Sequence, residues 1–597
     1  MAEQIDPRYP RPQLRRGDWM LLNGPWRFRF DDELGFHLPE DVPDWPLTIE
    51  VPFAPESRRS GIGDTGFHRA CWYQRDFNLP AHRAPGARVI LHCGAVDWQA
   101  RVWVNGAKVA EHEGGHTPFG ADITFALAVG ERQTLTVWAE DDPHDLEKPR
   151  GKQDWRLEPH SIWYPRTTGI WQSVWLEIVA ESHIRALRWS PDLDHWKIGL
   201  DLEIGGPPVE DAYVGVRLRC GRRVLADDTY HVIGGEVHHH IGLSDPGIDD
   251  YRNELLWSPE RPTLIDAELR LYRGQTVVDE VRSYTALRSI RVQRERILLN
   301  GRPYGLRLVL DQGYWPDSLM TAPDDDALRR DVELAKAMGF NGVRKHQKIE
   351  DPRYLYWADT LGLAVFSEMP SAYRFTGKAV NRLLREWTEV IERDISHPCI
   401  LIWVPFNESW GVPDLSTLPA ARDAVQSFYH LTRALDPYRL VIGNDGWESS
   451  ATDIIGIHDY DGDPAHIRAR YGPEVQVQEV VDRRWAGGRI LTLDGHPHRG
   501  QPVLLSEFGG VAYVRPEDGE RRGAWGYQRV DDPEEYRRRV LALIEAARCT
   551  AMFSGFCYTQ FADTFQEANG LLFDDRTPKL PLAEIAHAVH GDFYVHP

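Results

Sequence analysis

Six cysteines in 597 residues, none at paired spacing, leave this chain without a disulfide framework or a zinc-type ligand set. Cys71, Cys93, Cys220, Cys399, Cys549 and Cys557 stand in apolar contexts and read as reduced core residues. No run of 18 residues is apolar enough to span a bilayer, so a membrane-embedded protein is not expected. The segment Met1 to Pro10 has neither the basic n-region nor the apolar h-region of a secretory signal, and the expected compartment is the cytoplasm. Positive charge is scarce as well: 69 Lys and Arg against 90 Asp and Glu give a net charge of −21, which repels phosphate backbones and anionic lipid heads.

What remains is the composition of a soluble globular protein, 42% apolar and 27% charged, too long for one core. Twenty-two tryptophans stand out, since an indole face suits the C–H face of a sugar, although most serve in cores and strands. The pattern divides the chain into 1–180, 181–288 and 289–597. In the first part short strands alternate apolar and polar residues, and Val104-Asn105-Gly106-Ala107 is a hairpin signal, which together predict a jelly-roll sandwich. The second continues in the same style at the length of an immunoglobulin-like sandwich. Its triplet His238, His239 and His240 alternates between faces of a strand and is not expected to share a metal.

Beyond residue 290 strand-like runs alternate with helical faces such as Leu328, Val332, Ala335 and Met338. Eight strand candidates, beginning at Tyr304, Gly342, Leu363, Ile400, Leu440, Ile454, Val503 and Phe553, fit a closed (β/α)8 barrel. Glu408 is expected after strand four and Glu507 after strand seven, both at the face where such barrels keep their chemistry. Two carboxyls there are what cleavage of a glycosidic bond requires, one to protonate the leaving oxygen and one to attack the anomeric carbon. Opposed strands can bring them to roughly 5 Å, the separation of a retaining pair. Glu408, among Trp403, Phe406 and Trp410, is expected to sit in a dry setting and to start protonated, with Glu507 as the attacking group. Asn407 is expected to hydrogen-bond a sugar 2-hydroxyl.

The runs Asn407-Glu408, Ser506-Glu507-Phe508-Gly509, Leu22-Asn23-Gly24-Pro25-Trp26 and Thr168-Gly169-Ile170-Trp171-Gln172 resemble glycoside hydrolase family 2, the family of β-galactosidases, β-glucuronidases and β-mannosidases. The resemblance runs from about residue 18 to 590. It implies a sugar-binding jelly roll, an immunoglobulin-like domain and a catalytic barrel, with Glu408 as acid/base and Glu507 as nucleophile. It further implies that Arg344 hydrogen-bonds near the nucleophile, that Tyr460 donates to it, and that His346 lines the pocket. Trp525 is a candidate sugar-stacking residue and Asp311 a candidate partner for a hydroxyl of the terminal sugar.

Two departures narrow the substrate. Family glucuronidases carry an Asn-x-Lys pair ahead of the last Asp-Arg-x-Pro-Lys, whereas this chain has Glu567-Ala568-Asn569 ahead of Asp575-Arg576-Thr577-Pro578-Lys579. An acid there repels a uronate, so a neutral hexoside, first of all a β-galactoside, is expected. Large metal-dependent β-galactosidases place an acid and a histidine after strand three, whereas Ser367-Glu368-Met369-Pro370 lacks the histidine. No catalytic metal and no cofactor are expected, and Glu368 reads as a supporting acid. The stretch Val475 to Gly500, with Arg483, Arg484, Trp485, Gly487 and Gly488, and the loop Lys148 to Trp163 are candidates to close the pocket. The expected partner is a carbohydrate, with no nucleic acid or membrane. A homo-oligomer is compatible with the sequence. A non-catalytic carbohydrate-binding protein on the same fold is the competing class.

Overall fold

The structure is a computed structural model. It describes residues 8–80, 84–208, 211–485, 488–515 and 523–591. In the N-terminal domain a six-stranded and a four-stranded antiparallel sheet face each other. The larger runs in the order Leu47–Val51, Gly24–Phe30, Ala70–Asn78, Arg132–Glu140, Gln99–Val104, Ala107–Glu113. Strict alternation explains the sandwich: in Arg88–Cys93 the residues Val89, Leu91 and Cys93 are buried and join Trp26, Phe28 and Tyr73 in one core. The predicted hairpin forms, with Val104 opposite Ala107. Asn105 and Gly106 both take positive φ, +50° and +83°, the backbone of a two-residue turn that matches strand twist.

The second sandwich packs a sheet of His183–Asp192, Lys197–Gly205 and Glu236–Gly242 on one of Arg223–His231, Ala212–Cys220, Ile265–Arg273 and Thr276–Thr285. The segment before residue 18 belongs with this sandwich as much as with the first. Leu14 sits in the second core, and Arg16 bonds Glu177 of one domain and Asp279 of the other. Within the histidine triplet His238 contacts Asp201 and Glu236, and His239 stacks on Tyr230. All six cysteines are free thiols, and Cys549 is exposed rather than in a core.

The barrel strands in chain order are Leu306–Asp311, Gly342–Lys345, Ala364–Glu368, Ile400–Val404, Leu440–Val441, Ile455–Asp459, Val503–Gly509 and Phe553–Thr559. They pair in parallel in the order five, four, three, two, one, eight, seven, six. Strands five and six are tied by Asp453, whose backbone N–H donates to Val441 O at 2.9 Å and whose Oδ2 accepts from Val441 N at 2.8 Å. Helices wrap the ring because their sequences carry start signals and one apolar stripe. The helix Gly377–Asp394 begins at Thr376, whose hydroxyl caps Ala379 N, and buries Leu383, Trp387, Val390 and Ile391.

One difference from the sequence reading matters for chemistry. Strand seven does not stop before Glu507 but runs through it to Gly509, with all seven residues buried. Its pairing with both neighbours shifts register around residues 505–508, and Glu507 sits in that irregular stretch.

The N-terminal domain reaches the barrel mouth. Arg150 N and Gly151 N both donate to Ser371 O at 3.1 Å, and Trp163 Nε1 donates to Tyr373 Oη at 2.8 Å. His116 N donates to Glu386 Oε1 at 2.7 Å from a neighbouring loop.

Candidate active site

Arg344 organises the floor of the barrel mouth. It is the penultimate residue of strand two and fully buried, and strand alternation turns it inward while Lys345 turns outward. Its Nε donates to Glu368 Oε2 at 2.7 Å, Nη1 to Glu507 Oε1 at 2.8 Å, and Nη2 to Asn407 Oδ1 at 2.6 Å. Asp445 Oδ2 lies 3.1 Å from Nη1, so one guanidinium faces three carboxylates. Burial raises the Glu368 carboxyl to about 7, against the lowering effect of Arg344. Glu507 receives its second hydrogen bond on Oε2 from Tyr460 Oη at 2.5 Å. The Tyr460 ring stacks on Tyr527 with centroids 3.3 Å apart.

Glu408 is held differently. It lies four residues beyond strand four, and both Glu408 and Ser409 adopt left-handed backbone, φ +53° and +59°, a conformation costing an L-residue about 1–2 kcal/mol each. The cost is offset by a clamp from the segment after strand five. Glu408 N donates to Asp445 O at 2.9 Å, Ser409 N to Asn444 Oδ1 at 3.0 Å, and Ser409 Oγ to Glu448 Oε2 at 2.6 Å. The turn aims the carboxyl at His458, whose Nδ1 donates to Glu408 Oε1 at 2.7 Å, while Trp410 Nε1 donates to Oε2 at 3.3 Å. Gly446 makes room for that imidazole, since a Cβ there would meet His458 Nδ1 at 2.7 Å.

The expectation of a protonated Glu408 is overturned here. Burial does push the carboxyl up, but the hydrogen bond and charge of His458, with Lys152 beyond, bring it down to about 2. Burial lowers His458, yet Glu507, Asp445 and Glu408 together raise it to about 10. Both shifts favour the proton on the imidazole. Sequence reading saw the aromatic neighbours of Glu408 and missed the cation, because His458 belongs to a different strand.

A Glu408 oxygen, a His458 nitrogen and a Glu507 oxygen lie within 4.8 Å of one another. Such a trio could in principle hold a metal ion. A metal there would have to displace a proton from His458 and share Glu507 with Arg344, which already occupies one side of that carboxyl.

The remaining candidates separate clearly. Asn407 has its amide oxygen committed to Arg344, leaving the amide nitrogen as its other polar group. His346 Nδ1 lies 2.9 Å from Glu368 Oε1, and burial, then Lys152, keep the ring neutral. Asp311 is turned away from the site. Its Oδ1 accepts from Gly313 N at 2.8 Å and Oδ2 from Lys345 Nζ at 2.7 Å, on the helix side of the sheet. Trp525 stands edge-on to Tyr527, and its Nε1 donates to Ser161 O at 2.8 Å, so it fastens the wall of the mouth to the N-terminal domain. Glu408 and His458 open onto a cleft of about 1110 Å³ whose outer wall includes Trp447, Arg483, Arg484, Trp485 and Arg489. The stretch 475–500 thus supplies a wall of the cleft, with Gly487 outside the described residues. Sequence reading also passed over Lys152, Asp445 and Tyr527, which lie on connecting segments and come together only through the barrel's closure and the docking of the first domain.

A ring of parallel strands that brings two carboxyls to one basic centre at the mouth of a deep cleft defines the class of barrel glycosidases. Residues 44–176 match the family model described as "Glycosyl hydrolases family 2, sugar binding domain", and residues 290–474 match "Glycosyl hydrolases family 2, TIM barrel domain", together more than half of the chain. The chain belongs to glycoside hydrolase family 2. It is 26% identical over 410 residues to a β-galactosidase of Thermoanaerobacter pseudethanolicus, an alignment covering 66% of this chain and 51% of that one, so the chain spans about half the length of that relative. It is 27% identical over 500 residues to a β-glucuronidase of Canis lupus familiaris, covering 76% and 73%. A solved β-glucuronidase of Bifidobacterium dentium, complexed with coumarin-3-O-glucuronide, superposes with a TM-score of 0.76 over 98% of both chains at 20% identity.

Proposed function

We propose that this protein is a retaining exo-β-glycosidase that releases a terminal neutral sugar, with β-galactosides as its first substrate class. The observation that carries the reading is the approach of Glu408 and Glu507 to within 4.8 Å, close to the separation of about 5–5.5 Å at which one carboxyl attacks and the other transfers a proton. Glu507, fixed by Arg344 and Tyr460, attacks the anomeric carbon. As the bond to the leaving oxygen breaks, Glu408 delivers a proton to that oxygen. His458 holds this proton at rest and passes it across the 2.7 Å contact. In the second step water attacks the glycosyl-enzyme, its proton returns to the Glu408–His458 pair, and Glu507 leaves as carboxylate. Asn407 is suited to bind the sugar 2-hydroxyl through its amide nitrogen, and His346 to line the pocket.

The neutral sugar is favoured by the stretch Glu567-Ala568-Asn569, where uncharged Asn569 stands in the place of the uronate-binding lysine and Glu567, 3% exposed, adds an acid two residues before it. One observation favours a second reading, hydrolysis of β-glucuronides: Lys152 brings a cation to the same region from the N-terminal domain. Relatives of both activities stand at 26–27% identity and do not choose between them. A panel of nitrophenyl β-galactoside, β-glucuronide, β-mannoside and β-glucoside tests the proposal. Fastest release from the galactoside is expected. Inactivity on every member would favour a carbohydrate-binding protein that has kept the fold.

A further inference from the structure

We propose that the leaving-group side of the cleft is built for an anionic aglycone, a ring carrying a carboxylate or sulfate that Arg483 and Arg484 bind. The inference rests on the glycosidase reading of the site and deepens it.

The cleft of about 1110 Å³ lies to one side of the reacting centre. Among the described residues its lining includes Glu408, His458 and Tyr460 but not Glu507, Arg344 or Asn407. It therefore receives the group that departs from Glu408 rather than the sugar that stays with Glu507. Pockets of about 300–1,000 Å³ enclose a drug-sized ligand, so a substantial second group fits beyond the scissile oxygen.

Its wall combines indoles with arginines. Trp447 stands edge-on to His458 with ring centroids 5.7 Å apart, and the Arg489 guanidinium lies 5.0 Å from the Trp447 ring. Arg483 and Arg470 lie 5.8 Å and 6.0 Å from the ring of Trp485. The wall is fastened to the segment that clamps the Glu408 turn, because Glu448 N donates to Ile490 O at 2.7 Å and Ser449 N to Leu491 O at 2.9 Å. Glu448 Oε2 also accepts from both Ser409 Oγ and Arg489 Nη1.

Four arginines line this one cavity in a chain of net charge −21, a local reversal of sign. Two of them are neutralised, Arg470 by Asp459 and Asp461, and Arg489 by Glu448. Arg483 and Arg484 have no carboxylate partner among the described residues, and Arg484 Nη1 reaches only Gly488 O, at 3.4 Å. Of the acids in the lining, Asp459 and Asp461 are held by Arg470 and Glu408 by His458. Asp414, on the segment beyond Glu408, is left facing two free guanidiniums across the cavity. A guanidinium offers paired N–H donors to a carboxylate or sulfate, while Trp485 offers a face to the ring that bears it.

The test uses the sugar cleaved fastest in the nitrophenyl panel, joined to 7-hydroxycoumarin bearing a carboxylate, a sulfonate or an uncharged carboxamide at position 3. Steady-state kinetics on the three aglycones are compared for wild type, the pair Arg483→Gln with Arg484→Gln, and the pair Arg483→Lys with Arg484→Lys. Wild type is expected to favour an anionic aglycone over the carboxamide by about three- to tenfold in kcat/KM, mostly through KM, and the stronger of the two preferences identifies the anion. The Gln pair is expected to bring the ratio to one or below, since the rest of the protein repels an anion, and the Lys pair to keep part of the preference. Raising salt from about 50 to about 500 mM is expected to erase it. A wild-type ratio of one or less overturns the proposal, as does a preference that persists in the Gln pair, which would belong to the acidity of the leaving group. Should no nitrophenyl glycoside be cleaved, the glycosidase reading falls. The wall is then read by calorimetric titration of free 7-hydroxycoumarin-3-carboxylate and its carboxamide, where tighter binding of the carboxylate that is lost in the Gln pair supports the anion site and equal affinities overturn it.

Discussion

Glu507 and Glu408 are close neighbours held by opposite means. Glu507 is a strand residue, gripped from below by Arg344 and from the side by Tyr460, with 5% of its side chain exposed. Glu408 rides on a left-handed turn with 18% exposed, faces the open cleft, and owes its state to one imidazolium. The difference suits the division of labour proposed for them. An attacking group must stay aligned with one carbon, whereas a proton donor must exchange its proton with whatever leaving group enters the cleft.

Breaking the comparison at its rigid side has the largest effect. Glu507→Gly is expected to lower kcat by about four to six orders of magnitude on every substrate while sugar binding persists, measured by turnover beside calorimetry. On the proton-transfer side the loss depends on the leaving group. Glu408→Ala is expected to lose about 10²–10⁴-fold on alkyl glycosides and far less on dinitrophenyl glycosides. Equal losses on both would remove Glu408 from the acid role.

The pair with His458 sharpens the contrast through pH. His458 is raised from 6.5 to about 10, so the stability its charge gives is complete below about 6.5 and lost as pH rises through about 10. Glu408 is lowered from 4.5 to about 2, so its contribution is complete above about 4.5 and lost as pH falls through about 2. One shared proton therefore persists between those limits. Wild type is expected to keep activity well into the alkaline range, and His458→Asn to bring the alkaline limb of kcat/KM down to neutral pH or below. Glu368, pushed up to about 7 by burial, faces Arg344 in both proteins, so only the difference between the two profiles belongs to His458. Coincident profiles would separate the imidazole from the acid step. The smallest effect is expected on the cleft wall. Trp485→Ala should change kcat/KM a few-fold for bulky leaving groups and leave nitrophenyl substrates unaffected, as a panel of aglycones would report.

The sequence made the barrel legible because eight apolar runs and the helical stripes between them follow from local periodicity, and the hairpin at Asn105-Gly106 follows from turn chemistry. It pointed to Glu408 and Glu507 through their positions at strand ends and to Arg344 and Tyr460 through the family resemblance, and these four come together. It failed where state or direction depends on residues far apart in the chain. The charge on Glu408 is set by His458, 50 residues away. Asp311 ends a strand as a site residue would, yet its pairing with Lys345 faces the helices. Lys152 arrives from another domain, and no pattern within the barrel segment announces it.

The claim underneath all of this is that both carboxyls act on one anomeric carbon from within about 5 Å. Proton NMR of the first sugar released from a nitrophenyl β-galactoside, recorded before mutarotation, tests it most directly. The account predicts that the β-anomer appears first. Initial release of the α-anomer would contradict it, because inversion needs a water molecule between carboxyls set roughly 6.5–9.5 Å apart.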